Sequence, residues 1–313
     1  MPFKPVPQKF NAKINTVTVG TGDKMITLGG ENVLPFYSFD ADIENAPKIG
    51  IEISDFGIKT DLPALAEFYA GATSPVDAAK RAAAIEGVDF LAIYLEGAHP
   101  DNGDRSVEDT VKIVADIAAA VDLPLAIEGS GNFEKDAKLF EKIAEALDGK
   151  NALYLSAQEE NYKSIAAGVA MAYNQKIGAE SAVDINLAKQ LNVIISQMGI
   201  KPESIAMNLG SAAAGYGFEY VASTIDRVKA AALAQNDNML QMPIITPIAA
   251  DAWSVKESIV SEADFPEWGP VEQRGISMEI STAAASLAAG SNAIILRHPE
   301  SVKTVAKLVA GLV

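Results

Sequence analysis

Residues 90–129, FLAIYLEGAHPDNGDRSVEDTVKIVADIAAAVDLPLAIEG, carry the pattern that decides the fold. A short apolar run, FLAIYLE (90–96), gives way to a polar loop. Ser106 with Asp109 three residues on resembles a capping box, the start of a helix. The chain then returns to a second apolar run, LPLAIEG (123–129). Strand, loop, helix and strand in that order make the parallel crossover unit. Outward from it the same rhythm holds in KIGIEIS (48–54), ALYLSA (152–157), KIGAES (176–181), SIAMNLG (204–210), MPIITPI (242–248) and NAIILRH (292–298), eight runs in all. Eight such units can close into a parallel (β/α)8 TIM barrel, which takes about 250 residues; the chain has 313. The competing architecture is an open doubly wound sheet. Against it, no glycine fingerprint follows the first run, since KIGIEISD leads into FGIKTDL.

Helix signals sit between the runs. Ser74-Pro75 is a cap followed by proline at the first helical position. Phe140, Ile143, Ala144 and Leu147 share one helical face that stops at Gly149; Leu187, Leu191, Ile194, Ile195 and Met198 share another that stops at Gly199. The last three helices are expected over 218–235, 275–289 and 299–312. The first residues differ: TVTVG (16–20) and KMITLGG (24–30) flank a Thr-Gly-Asp turn, a hairpin pattern. With no Gly/Ser or Pro-rich linker in the chain, residues 1–46 read as an N-terminal extension whose hairpin lids one end of the barrel, and 47–313 as the α/β barrel.

Composition narrows function. Lys plus Arg total 25 against 41 Asp plus Glu, a formal charge of −16. That excludes the basic footprint of a nucleic-acid binder and disfavours anionic membranes. With no cysteine, the chain has no disulfide, no thiolate nucleophile and no iron–sulfur cluster of its own. Its two histidines, His99 and His298, are too few for a His-rich metal site. The opening MPFKPVPQKF lacks the apolar stretch of a signal peptide, and no run approaches a membrane span. A cytoplasmic location is the expectation.

Barrel chemistry sits where strands end. There the sequence places Ser54, Asp55, Glu96, Glu128, Ser130, Gln158, Glu159 to Asn161, Glu180, Ser181, Asn208, Thr246, Arg297 and His298. Without lysine, this ring does not suit a Schiff-base aldolase. Its carboxylates could form a glycosidase-like acid/base pair or cap helix N-termini. Asp101, Asn102 and Asp104 suggest a calcium loop, but in the wrong register for an EF-hand. His99 lies in GAHPDNG, where Gly97 replaces the aspartate of the cobalt-ligating D-x-H-x-x-G pattern. His298, just before Pro299, is placed to cap the last helix. Two loops stand out. In NLGSAAAGYGFEY (208–220), small residues allow a large or flat ligand, or a phosphate, close to the backbone; the bland reading is a tight strand-to-helix turn. The segment 249–275 is long and holds Trp253 and Trp268, which suits either a partner contact or a cluster folded over the barrel wall.

Several segments read together resemble a known family: LEGAHPDNGDRS, ALYLSAQEENYKSIA, GYGFEYVASTIDRVKAAALAQNDNMLQMPIITP, EWGPVEQRG and TAAASLAAGSNAIILRHPESVKTV. They are similar to the small (delta) subunit of the corrinoid iron–sulfur protein of the acetyl-CoA decarbonylase/synthase system, over residue 47 to the C-terminus. The resemblance implies a non-catalytic barrel in a heterodimer, serving anaerobic carbon fixation by the reductive acetyl-CoA (Wood–Ljungdahl) pathway. It implies a cobalamin shared with a large subunit that alone carries a [4Fe–4S] cluster. A methyl group would pass on cobalt from methyltetrahydrofolate methyltransferase to acetyl-CoA synthase/carbon monoxide dehydrogenase. Asn102, Asn132, Gln158, Asn161 and Asn208, with Ser211, Ala212, Ala213, Gly215 and Tyr216, are then the expected corrinoid contacts, with no catalytic or metal-ligating residue. The alternative is a pterin-dependent methyltransferase on the same type of barrel, with Asp and Asn at strand ends as in IEISD and MNLGS. A further alternative is a barrel hydrolase or lyase acting on a small anion.

Overall fold

The computed structural model describes residues 4, 6–58 and 61–313; part of the N-terminal segment read for a signal peptide therefore lies outside the described residues. Eight parallel strands form the sheet: β3 (Lys48–Ser54), β4 (Phe90–Tyr94), β5 (Leu125–Glu128), β6 (Leu153–Ala157), β7 (Lys176–Glu180), β8 (Ile205–Asn208), β9 (Ile245–Pro247) and β10 (Ala293–Leu296). They follow sequence order from β3 to β8, and β10 pairs with both β3 and β9. A single parallel bridge, Met207 to Ile244, joins β8 to the approach of β9, with Met207 N donating to Pro243 O at 2.8 Å. The sheet thus closes into the expected barrel.

Strands buried on both faces explain why the runs are apolar throughout instead of alternating. Phe90, Ala92, Ala126, Leu153, Leu155, Ala206, Ile245, Ala293 and Ile295 fill the barrel, while Ile51, Leu91, Ile93, Ile127 and Tyr154 pack outward under the helices. Small residues make room for large ones inside. A Cβ on Gly50 would collide with the Phe90 ring, and one on Gly178 with Leu155.

The hairpin is present as β1 (Val17–Val19) and β2 (Ile26–Leu28), paired antiparallel. Its buried Val17, Val19, Ile26 and Leu28 join the barrel-filling cluster. Asn151, just before β6, donates from Nδ2 to Thr18 O at 2.9 Å and Gly20 O at 3.0 Å. The hairpin is therefore a plug at the strands' N-terminal end. Four buried aliphatic side chains contribute roughly 1.5–3 kcal/mol each.

The caps act as their residues suggest. Ser74 Oγ accepts from Asp77 N, and Ser106 Oγ accepts from Asp109 N at 3.1 Å while donating to its carboxylate at 2.9 Å. The long 249–275 segment differs from an unstructured loop. It holds one-turn helices Ala249–Ala252 and Lys256–Ile259 and a 3-10 turn Pro266–Trp268, and the next helix starts at Val271, earlier than the expected 275. Pro270, with φ −59°, sets the chain direction into that helix. Among the described residues no helix is long and apolar enough to cross a membrane.

Candidate functional site

The C-terminal ends of the strands surround a cavity of about 260 Å³. Glu52, Tyr94, Glu128, Ser156, Glu180, Asn208 and Pro247 line it from the strands, Ser130, Gln158 and Ser211 from the loops, and Phe133, Asp136 and Asp251 from the helices that follow. Most of its carboxylates are already engaged. Glu52 meets Arg297 through Oε1, at 2.8 Å from Nε and 2.6 Å from the terminal nitrogen. Glu180 accepts from Gln158 Nε2 at 2.6 Å and from Asn208 Nδ2 at 3.2 Å. Asp136 accepts from Ser130 N (2.8 Å), Ser130 Oγ (2.6 Å) and Gly131 N (3.0 Å), pinning the loop after β5. Glu128 is not engaged. Its Oε1 is sealed from solvent and takes no hydrogen bond.

Electrostatics follow from that inventory. Burial pushes the Glu128 carboxyl well above the usual range; Glu52 and Glu180 push the same way, and Arg297 opposes them. Burial also raises Glu180, against the bonds from Ser156 and Gln158, and raises Asp251. Glu128→Gln should therefore stabilise the fold at alkaline pH. A raised pKa means the folded state binds the proton more tightly than the unfolded one, so wild-type stability falls as pH rises past the ordinary glutamate range near ~4.3. Each unit of displacement is worth about 1.4 kcal/mol. Urea unfolding at pH 5 and pH 8 should show the variant gaining on wild type at pH 8; an equal difference at both pH values would contradict this.

Ser156 sits in an irregular stretch of β6, where register shifts between Tyr154 and Ala157, at φ +68°. That left-handed conformation is costly for serine and recurs at functional sites. There its Oγ accepts from Gly129 N at 3.4 Å, and the residue lines the cavity.

Of the residues expected from the sequence, Gln158, Asn208 and Ser211 line the cavity. The others do not. Asn102 lies in the 99–104 turn, Asn132 caps the helix Phe133–Ala146 by accepting from Lys135 N at 3.0 Å, and Asn161 accepts from Gln158 N at 2.8 Å. In the 211–216 loop, Ala213 is buried, Ala214 N donates to Thr282 Oγ1 at 2.9 Å, and Tyr216 donates to Glu257 Oε2 at 2.6 Å. Ala212 and Gly215 complete that loop outside the cavity lining. Thr246 is fully buried against Ser291. Glu52, Tyr94, Ser156, Asp136 and Asp251 were missed. Glu52 and Tyr94 sit inside runs that read as structural, and Asp136 and Asp251 lie on helices.

The two histidines differ in how far they are engaged. His99 Nδ1 accepts from Asp101 N at 3.1 Å. His298 Nδ1 accepts from Glu300 N at 3.1 Å, its Nε2 lies 3.3 Å from Glu272, and Trp253 stacks on its ring. Among the described residues no cluster of three or more His, Asp or Glu could hold a metal ion. Phe133 of the cavity lining is 38% exposed, and Phe56 and Tyr216, on the loops after β3 and β8, are 54% and 47% exposed.

A family model described as CO dehydrogenase/acetyl-CoA synthase delta subunit matches residues 16–299. The chain belongs to that family. Delta-subunit relatives include the acetyl-CoA decarbonylase/synthase complex subunit delta 1 of Methanosarcina acetivorans, 31% identical over 94% of this chain and 67% of its own length. The Methanothermobacter thermautotrophicus subunit delta is 31% identical over 96% of this chain and 76% of its own length. Both are named as subunits of a multi-protein complex, as the sequence resemblance implied. Among solved structures, the 7,8-dihydropteroate synthase of Vibrio fischeri superposes with a TM-score of 0.60 at 11% identity, covering 94% of this delta-family chain and 97% of its own. The Xanthomonas albilineans dihydropteroate synthase with 4-aminobenzoic acid gives 0.57 at 13% identity, covering 95% and 98%. At such identities the likeness concerns the barrel fold alone.

Proposed function

We propose that this delta-family chain is the small barrel subunit of a methyl-carrying corrinoid iron–sulfur protein, working in the cytoplasm. Its mouth would shelter a cobalamin held mainly by a large subunit that carries the [4Fe–4S] cluster. When bound, the corrinoid supplies a cobalt that takes up and passes on a methyl group. Methyltetrahydrofolate methyltransferase and acetyl-CoA synthase/carbon monoxide dehydrogenase would be the donor and acceptor partners.

The observation that carries this reading is the exposed aromatic side chains on the strand-end face, Phe133 in the lining of a polar cavity with Phe56 after β3 and Tyr216 after β8. Such a face can cover the flat ring and amide arms of a corrin. Asn102 and Asn132 would meet the arms at the edge, and Gln158 and Asn208 deeper in. The small residues of 211–216 keep the approach low, while Thr282 and Glu257 hold that loop still. A still barrel leaves the movement needed for methyl transfer to the partner's corrinoid domain.

Purification from the native source, with a visible spectrum and a mass measurement, tests this. The expected result is copurification with a heavier iron–sulfur chain and a corrinoid absorption band. A Phe133→Asp variant should weaken that association. A colourless chain that purifies alone would overturn the reading.

A further inference from the structure

Covering a corrinoid does not explain the floor of the cavity. We infer that the cavity below the rim binds a small planar ligand presenting adjacent N–H donors, the edge shared by guanine and the pterins, with Glu128 as the anchoring acceptor.

The site is built to accept hydrogen bonds. Glu180, Asp136 and Glu52 are already partnered by protein donors, whereas Glu128, also in the lining, has a shielded Oε1 that no protein donor reaches. An unpartnered buried carboxylate carries a desolvation cost that a ligand can relieve. The terminal torsion of a glutamate is soft, so both carboxylate oxygens can turn toward a ligand. Two parallel N–H groups on one ring edge match a carboxylate's two oxygens. Nearby, Gln158 spends its amide nitrogen on Glu180, which leaves its carbonyl oxygen as a further acceptor. Phe133, Tyr94, Leu155 and Pro247 supply apolar walls for a flat ring, and about 260 Å³ accommodates one or two fused rings. With Glu52, Glu128, Asp136, Glu180 and Asp251 around it, the cavity repels anions and favours donors. That also disfavours the small-anion hydrolase considered from the sequence.

Binding is linked to a proton. Glu128 faces Glu52, Glu180, Arg297 and Tyr94, and burial among them favours its protonated form. A pair of N–H donors favours the ionised form, so the ligand displaces the proton from Glu128 to solvent, and affinity rises with pH until the raised pKa is passed. This inference stands apart from the corrinoid reading and does not require it.

Isocytosine, the minimal ring with this edge, is the probe. Calorimetric titration into the full chain, in two buffers of different ionisation heat, should show saturable binding with proton release. Glu128→Gln keeps the shape and removes the charge, and should weaken binding by about tenfold or more. 3-Methylisocytosine, with its edge blocked, should not bind. Urea unfolding of Glu128→Gln confirms that the variant is folded. Equal affinity in wild type and variant, or no isocytosine binding up to its solubility limit, overturns the inference. So does saturation of the cavity by dicyanocobinamide alone, since a corrin amide arm would then be its occupant.

Discussion

Replacing Lys229 by methionine is expected to cost the folded chain about 3–5 kcal/mol, the range for removing one partner of a buried ion pair. Lys229 lies on the helix Phe218–Ala234 and is 1% exposed. Its Nζ donates to Glu31 Oε1 at 2.5 Å and to Asn292 Oδ1 at 2.9 Å. Asn292 Nδ2 donates to the same Glu31 oxygen at 2.8 Å, and Asn292 Oδ1 also accepts from Ile244 N at 2.9 Å. The network thus ties the N-terminal segment to the foot of β9 and β10. Without the ammonium, Glu31 remains buried with a charge and no counter-charge. Pro35 and Gly290 close on the lysine stem, so methionine keeps much of the packing and isolates the charge effect.

The pH dependence has a definite sign. Burial pushes the Glu31 carboxyl up, but Lys229 and the bond from Asn292 outweigh it and hold the carboxyl below its ordinary range. A depressed folded pKa gives stability that is present at neutral pH and lost as pH falls through it. The gap between wild type and Lys229→Met should therefore be widest near pH 7 and shrink in acid. Urea unfolding at both pH values checks this, and limited proteolysis should cut the N-terminal segment faster in the variant. A Glu31→Gln/Lys229→Met double variant should recover part of the loss. If the single variant matches wild type, the latch contributes nothing.

At the opposite end, Arg297→Met should cost a similar 3–5 kcal/mol. Arg297 follows β10 and neutralises Glu52 of β3 across the first-to-last strand seam. Its loss leaves buried Glu52 beside Glu128 and Glu180 with no opposing charge. The Glu52→Gln/Arg297→Met pair should be closer to wild type than the single change, because the penalty lies in the uncompensated charge. If the double variant is as unstable as the single one, packing by the guanidinium stem matters and its charge does not.

Much of the fold was legible in the residues. All eight runs became barrel strands within two or three residues of their expected ends, because strands buried on both faces must be apolar throughout. The caps at Ser74 and Ser106 and the TVTVG/KMITLGG hairpin depend on neighbours a few residues apart. Such interactions are local and survive as patterns. The family was also carried by the chain itself, in long segments that the match over 16–299 covers.

The site was legible only in part. Glu128, Glu180, Asn208 and Gln158 stood at strand ends and could be named. That Glu180 is saturated while Glu128 is left without a donor could not be read, because Gln158 and Asn208 reach it from strands 22 and 28 residues away. Glu52 looked like an ordinary strand residue until Arg297, 245 residues on, closed against it. Local pattern therefore determined the elements, their order and the barrel they close. Which polar groups find partners, and which is left open to a ligand, depends on distances between strands far apart in sequence, and only the closed barrel set those distances.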